Sequence, residues 1–290
     1  MAKVEKKFLI SIIPFLFFMG ILVYCVISTI YTSFTDRMLI GKAAISPTFI
    51  GLENYGKIFR DPDFANSLKI SGLFTLFSAI LGQCTLGLLI AIILKQKKIK
   101  FKPFFEICLL FGWLVPDMAA AFMWGSFGAE AGFLNKILVP LGVTARNWLA
   151  EAPLTTIIIA NIWKGTAWSY LLFSAALEAV PPSYFEAADI DGASAWQKFR
   201  FVTVPMVLPV LMTNLLLITI WTFGYFNLIF GMTTGGPGHA TEVLPILIYK
   251  RAFIVSKLGY GCALSIVMTI IVAALCVVYF WFQRRSKSVT

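Results

Sequence analysis

Six apolar stretches, near residues 8–34, 66–94, 104–127, 154–177, 205–230 and 261–282, dominate the chain, and each meets the roughly 20 residues that a bilayer crossing requires. Hydrocarbon offers no partner to a backbone N–H or C=O, so such a chain folds as helices or as a closed barrel. These runs lack the period-two alternation of barrel strands. The expected fold class is therefore an all-α integral membrane protein with six transmembrane helices. At 59% hydrophobic and 13% charged residues, no separate soluble domain is apparent, and residues 1–290 read as a single transmembrane domain. The first stretch follows Lys3, Lys6 and Lys7 but outruns a 7–15-residue signal core and lacks a small-x-small cleavage site. It reads as a retained anchor.

Charge sets orientation. Lys and Arg total 24 against 14 acids. Lys95, Lys97, Lys98, Lys100 and Lys102 crowd the short loop after the second stretch, and Arg284, Arg285 and Lys287 follow the last. With the N-terminal lysines they place both termini and the 178–204 loop in the cytoplasm. The opposite loops carry basic residues too, diluted by acids such as Asp36, Asp61, Asp63 and Glu242. Excess charge here speaks of the lipid bilayer and not of nucleic acid, because no basic stripe interleaves with aromatics. All five cysteines sit in apolar segments and read as small buried hydrophobes, with neither a disulfide framework nor a metal-binding spacing.

Catalytic constellations are missing. Gly51 to Lys57 imitates a phosphate-binding loop, but Ile58 stands where a Ser or Thr hydroxyl must reach magnesium. His239 is the single histidine, placed in a glycine-rich outer loop where it is expected to be exposed. Asp189 and Asp191 are two apart on a helix and face apart. No cofactor is expected on this chain, and ATP, if it drives the protein, is hydrolysed elsewhere.

Polar residues inside the apolar stretches carry more information. Asp117 follows Pro116 in the third, and Lys164 lies between Trp163 and Gly165 in the fourth. A charge at the bilayer centre costs at least ~2.5–3.5 kcal/mol, so both should face protein or a wet cavity. Either they pair and fix packing, or they line a cavity and touch substrate; the two are compatible. Asn161, Lys164, Gly165 and Trp168 share one helical stripe, and Trp221, Thr222, Tyr225 and Asn227 form a similar set in the fifth stretch. Hydroxyl partners mixed with aromatic faces suit a sugar.

The loop from Glu178 to Pro209 is unusual for a membrane-adjacent segment. Pro181 and Pro182 end the preceding helix. Ser183 with Glu186 reads as a capping box, Gly192 as the helix terminator, and Ser194 with Gln197 as a second box that restarts a helix toward Pro205. The first short helix carries Tyr184, Phe185, Ala187, Ala188 and Ile190, with Asp189 and Asp191 near its C-terminus, where acids oppose the dipole. An apolar face here is expected to dock a partner, against the alternative of an amphipathic helix lying on the bilayer.

Glu186-Ala187-Ala188, three residues, Gly192, nine residues and Val202-Thr203-Val204-Pro205 resemble the EAA loop of permease subunits in binding-protein-dependent ABC importers. GLENY from Gly51, FRDPDF from Phe59, VPDMAAAFMW from Val115, NIWKG from Asn161, WQKF after Gly192 and TGGP from Thr234 resemble the maltose-type sugar branch in order. The resemblance implies a type I importer permease fold with a cytoplasmic coupling helix. It implies a second homologous permease subunit, two cytoplasmic ATPase subunits that hold ATP and Mg, and an extracytoplasmic solute-binding protein. The setting would be the cytoplasmic membrane of a bacterium or archaeon. Substrate contacts carried over by it fall on Asp117, Asn161, Lys164, Gly165, Trp168, Trp221, Thr222 and Tyr225. ATPase coupling falls on Tyr184, Phe185, Glu186, Ala187, Ala188, Asp189, Asp191 and Gly192. Asp117 stands where that branch has a small hydroxyl residue, Lys164 where it has an aliphatic one and Trp168 where it has a tyrosine. These departures point away from maltose itself and leave neutral and acidic sugars both open. The rival class is a secondary transporter or channel without an ATPase, which calls for inverted repeats or mid-membrane carboxylates.

Overall fold

Helices form all the regular structure among the described residues, apart from one isolated bridge between Thr35 and Phe49. The structure, a computed structural model, describes residues 2–95 and 100–287, with side chains over 12–95 and 100–283. Lys97 and Lys98 thus lie outside the described residues, as do the side chains of Lys3, Lys6, Lys7, Arg284, Arg285 and Lys287.

Among the described residues, four helices are long and apolar enough to cross a membrane: Ile12–Ser33, Pro62–Leu94, Ala195–Phe223 and Leu258–Gln283. The third apolar stretch differs from expectation. It is not one rod but two helices, Lys102–Leu114 and Asp117–Phe127, bent by 103°, which make a fifth crossing if the pair counts as one. Pro116 is the cause: it holds Val115 extended and cannot donate to the preceding turn. The fourth stretch forms the 26-residue helix Pro153–Glu178, about 39 Å long. Asn161, Lys164, Thr166 and Ser169 lower its apolar density, and all four are buried in protein.

The fifth stretch also departs from its expected bounds. The helix begins at Ala195, not near Pro205, and ends at Phe223; a separate helix, Asn227–Thr233, follows Gly224. A π-helical turn over Phe199–Thr203 precedes Pro205 and absorbs the donor that proline lacks, so the helix passes through it. The cysteine expectation fails in part. Cys84 is buried, but Cys25 and Cys108 are exposed on the protein surface, where their apolar stretches present a face outward.

The chain divides into two compact units. The first comprises the chain through Ala65 with Leu247–Ile271. In it Asn54 donates from Nδ2 to the Ser33 and Thr35 carbonyls, both at 2.9 Å, satisfying the end of the first long helix. Tyr55 shares a hydrogen bond with Ser33 at 2.7 Å. Arg251 donates to Asp61 at 3.1 Å and Asp63 at 2.6 Å, and the Tyr260 hydroxyl donates to Asp61 at 2.8 Å. Lys57, the lysine of the imitation phosphate loop, is paired with Glu53 at 2.7 Å.

The second unit comprises Asn66–Ile246 and the chain from Val272. Its centre is the Pro153–Glu178 helix, against which a π-helical run at Thr75–Gln83 of the Pro62–Leu94 helix packs closely. Glycine allows that approach: a Cβ at Gly82 would collide with Ile162, and one at Gly87 with Ser169 and the Tyr170 backbone. Polar residues then lock the pair. Gln83 donates to the Asn161 carbonyl at 2.9 Å, and Asn161 Nδ2 donates to Ser78 Oγ at 2.7 Å. Asn214 Nδ2 donates to Ser169 Oγ at 3.0 Å and ties in the Ala195–Phe223 helix.

Candidate functional site

The second unit encloses a cavity of about 230 Å³, and all eight carried-over substrate positions line it: Asp117, Asn161, Lys164, Gly165, Trp168, Trp221, Thr222 and Tyr225. Gln83, Trp113 and Ile218 complete the wall and were not singled out from sequence. Gln83 carried a signal, as an amide in a run otherwise made of apolar residues and small hydroxyls. Trp113 did not, because nothing marks one tryptophan among so many aromatics before the bend at Pro116 is known.

The bend builds the floor. It exposes main-chain carbonyls that an unbroken helix would have used, and Lys164 takes them up. Its ammonium donates to the Val115 carbonyl and to the Trp113 carbonyl at 3.5 Å, and it lies 3.2 Å from Asp117 Oδ1. Asp117 in turn accepts from the Tyr225 hydroxyl at 2.8 Å and from Asn227 Nδ2 at 3.3 Å. The ammonium therefore has two carbonyl acceptors and a paired carboxylate, and the carboxylate accepts from two neutral donors beside that cation. Opposite charges cancel inside the wall.

Indoles form the apolar side. The Trp168 ring sits edge-on to Trp221 with centroids 4.8 Å apart, and tilted against Trp113 at 5.9 Å. Trp168 Nε1 is buried with no hydrogen-bond partner among the described residues. Gly165 matters by its size, since a Cβ there would overlap the Gln83 carboxamide.

The 178–204 loop forms two short helical starts. Here one expectation is corrected: Pro181, not Ser183, is the N-cap of the Pro182–Ile190 helix, and no side-chain cap is made. Pro182 already has helical φ, so the helix begins ahead of Ser183, and the Ser183–Glu186 box does not form. The other end is as read. Gly192 is left-handed (φ 71°), with Ala193 N–H donating to the Ala188 carbonyl at 2.9 Å and Gly192 N–H to the Asp189 carbonyl at 3.1 Å. Ser194 and Gln197 make their reciprocal capping box.

Asp189, unfavourable for its own helix, is held by an ion pair with Lys198. Tyr184, Glu186, Ala187, Asp189, Asp191 and Gly192 are exposed, and Phe185 and Ala188 half-buried. Phe185 lies under Lys95, whose Nζ is 4.7 Å from the ring centre and donates to the Leu177 carbonyl at 2.8 Å. Burial pushes the Lys95 ammonium below its ordinary pKa, against the opposing pull of Glu178. Ile190, Trp196 and Phe201 stand out as exposed apolar side chains beside this helix, at 87%, 68% and 71% exposure. His239 is exposed, as expected, and lies 3.1 Å from Glu242.

Long apolar helices around a small polar chamber define a polytopic membrane protein of the transport type. The chain belongs to the family of binding-protein-dependent transport system inner membrane components, whose profile matches residues 83–288. It is 35% identical over 242 residues to the trehalose/maltose transport system permease protein of Thermococcus litoralis, covering 82% of this chain and 81% of that one. Its fold matches a bacterial ABC transporter involved in the import of the acidic polysaccharide alginate, with a TM-score of 0.80, 18% identity and 98% of each chain covered. The alginate transporter in complex with an alginate pentasaccharide-bound periplasmic protein matches equally, at 0.80, with 17% identity over 98% of this chain and 94% of that one. The chain is thus a multi-pass permease subunit of an ABC importer, not an enzyme, and binds no cofactor itself.

Replacing Tyr225 with Phe removes one of the donors to Asp117. A hydrogen bond to a charged group is worth about 1.5–3 kcal/mol, so thermal unfolding of the purified protein should show a loss of that order. A Tyr225→Phe variant as stable as the parent would mean that the hydroxyl does not hold Asp117.

Proposed function

We propose that this permease passes a neutral saccharide through the cavity walled by Trp113, Trp168 and Trp221. The observation that carries the proposal is the charge balance of Lys164. Its charge is matched by Asp117 and it donates to the Trp113 and Val115 carbonyls, so no unpaired cation is left for a uronate carboxylate. A bare carboxylate in that chamber would meet Asp117 with no free cation to offset it. Neutral hydroxyls fit instead, with Asn161, Thr222 and Gln83 as partners and the indoles for the sugar ring. The trehalose/maltose relative supports the class of solute.

In this reading the whole chain acts as a single permease domain. It crosses the membrane six times, with the bent pair and the polar Pro153–Glu178 helix each counted as one crossing. Both termini are cytoplasmic. The Pro182–Ile190 helix, with Tyr184, Phe185, Glu186, Ala187, Ala188, Asp189, Asp191 and Gly192, meets one of two cytoplasmic ATPase subunits, which bind ATP and Mg. A second permease subunit completes the pathway, and an extracytoplasmic solute-binding protein delivers the sugar. The exposed apolar side chains of Tyr184, Ile190 and Trp196 support a docked protein, because the helix is clamped at its C-terminal end by the Gly192 turn, and Lys198 is already paired with Asp189. Coupling requires that the ATPase grip this knob differently in its two states.

Size-matched neutral and uronate-containing saccharides, offered through the cognate binding protein to the reconstituted importer, test the substrate class. Neutral members should stimulate ATP hydrolysis and uronates should not; stimulation by uronates alone would overturn the assignment. A second variant tests coupling. Gly192→Val forces a β-branched residue into left-handed backbone at about 1–2 kcal/mol, so stimulated hydrolysis and uptake should fall while the complex still assembles. Undiminished uptake would contradict coupling through the Pro182–Ile190 helix.

A further inference from the structure

A second cavity, of about 460 Å³, lies in the other unit and has no part in the sugar site. Five cations, Arg37, Lys57, Arg60, Arg251 and Lys257, line it against two carboxylates, Asp36 and Asp61. The carboxylates are already engaged. Asp36 accepts from the Thr48 N–H at 2.6 Å and hydroxyl at 2.7 Å, and these bonds hold its pKa below the ordinary value. Asp61 accepts from Arg251, Tyr260 and the Asp63 N–H. Arg251 is occupied by Asp61 and Asp63, and Lys57 by Glu53. Arg37, Arg60 and Lys257 remain, all exposed, and among the described residues no hydrogen bond or ion pair engages their side chains. Three like charges on one concave surface repel one another and are stabilised by an anion bridging them.

The place of the cavity in the chain says which anion. Arg37 comes four residues after the Ala2–Ser33 helix ends, and Lys257 immediately precedes the Leu258–Lys287 helix. Both helices contain membrane-crossing segments, so their adjoining ends fall at headgroup depth. Apolar residues close in sequence to the lining positions form an exposed apolar rim to these segments: Phe49, Leu52 and Phe59 are 68%, 69% and 73% exposed, and Ile40 and Ile254 are exposed as well, while Met38 and Ile50 lie in the wall itself. A soluble anion has no use for such a rim, whereas a phospholipid presents a phosphate above acyl chains. We propose that this cavity binds the phosphodiester headgroup of an anionic phospholipid. Arg37 and Arg60 offer paired N–H donors to the phosphate oxygens and Lys257 a point charge, while the rim packs on the glycerol and upper acyl carbons.

The test uses the assembled importer purified from membranes, with phosphatidylglycerol as the probe. The variant R37Q/R60Q/K257Q is compared with K42Q, which removes a neighbouring exposed lysine outside the cavity. Native mass spectrometry should show retained phosphatidylglycerol falling at least about ten-fold in the triple variant and unchanged in K42Q. Millimolar inorganic phosphate should not displace the lipid, and phosphatidylcholine should not replace it. Unchanged retention in the triple variant overturns the proposal. So does displacement by inorganic phosphate, which would make this a soluble-anion site. Weakened affinity for the solute-binding protein with lipid retention intact would also overturn it, and would assign the cations to an acidic protein surface.

Discussion

Breaking a helix inside a bilayer frees carbonyls that no water will satisfy, and here one ammonium group takes up that burden. Pro116 turns the chain between Leu114 and Asp117, and Lys164 reaches across from the neighbouring helix to the carbonyls left behind. A lone cation could not stay there. Asp117, the first residue of the resumed helix, neutralises it, and Tyr225 and Asn227 hold the carboxylate in turn. The cavity exists because the helix is broken, and the break persists because the ion pair satisfies the polar groups it exposes. In the proposed function, specificity follows from the same balance: a chamber whose charges are internally matched favours ligands that bring none.

The surroundings hold that arrangement by close approach and not by bulk. Gly82 and Gly87 bring the Pro62–Leu94 helix against the Pro153–Glu178 helix, and Gly165 makes room for Gln83 to reach the Asn161 carbonyl. Ser169 and Asn214, both fully buried, fix the third helix of the set. The Pro153–Glu178 helix therefore carries the cavity along its length and ends only three residues before Pro181, where the clamped Pro182–Ile190 helix starts. In the proposed importer this continuity converts movement at the ATPase contact into movement of Lys164 and Trp168.

Much of this could be seen in the sequence, for reasons specific to particular residues. The first and last long helices follow their apolar runs, the first continuing through Pro14. Lys164 and Asp117 stood out because a charge in an apolar run demands a partner, although their pairing was left open beside substrate contact. Helical spacing put Asn161, Lys164, Gly165 and Trp168 on one stripe, and the structure brings that stripe to the cavity; their contact with sugar is a proposal. The failures are physical as well. Apolar density integrates across Pro116 and hides the bend. Pro205 looked like a boundary because sequence gives no sign of the π turn that accommodates it. Ser183 looked like a cap, but Pro182 had already begun the helix. Gln83 and the exposed Cys25 and Cys108 depend on which face of an apolar helix meets protein, and composition alone does not set that.

A double-mutant cycle on Lys164 and Asp117 addresses the core of the account most directly. Unfolding free energies would be measured for the parent, Lys164→Met, Asp117→Asn and the double variant. Each single change leaves the other charge without its counter-ion, so the double variant should lose less than the sum of the singles, by about 0.5–3 kcal/mol. Strictly additive losses would mean that the two charges do not sustain one another, and the broken-helix account would fail.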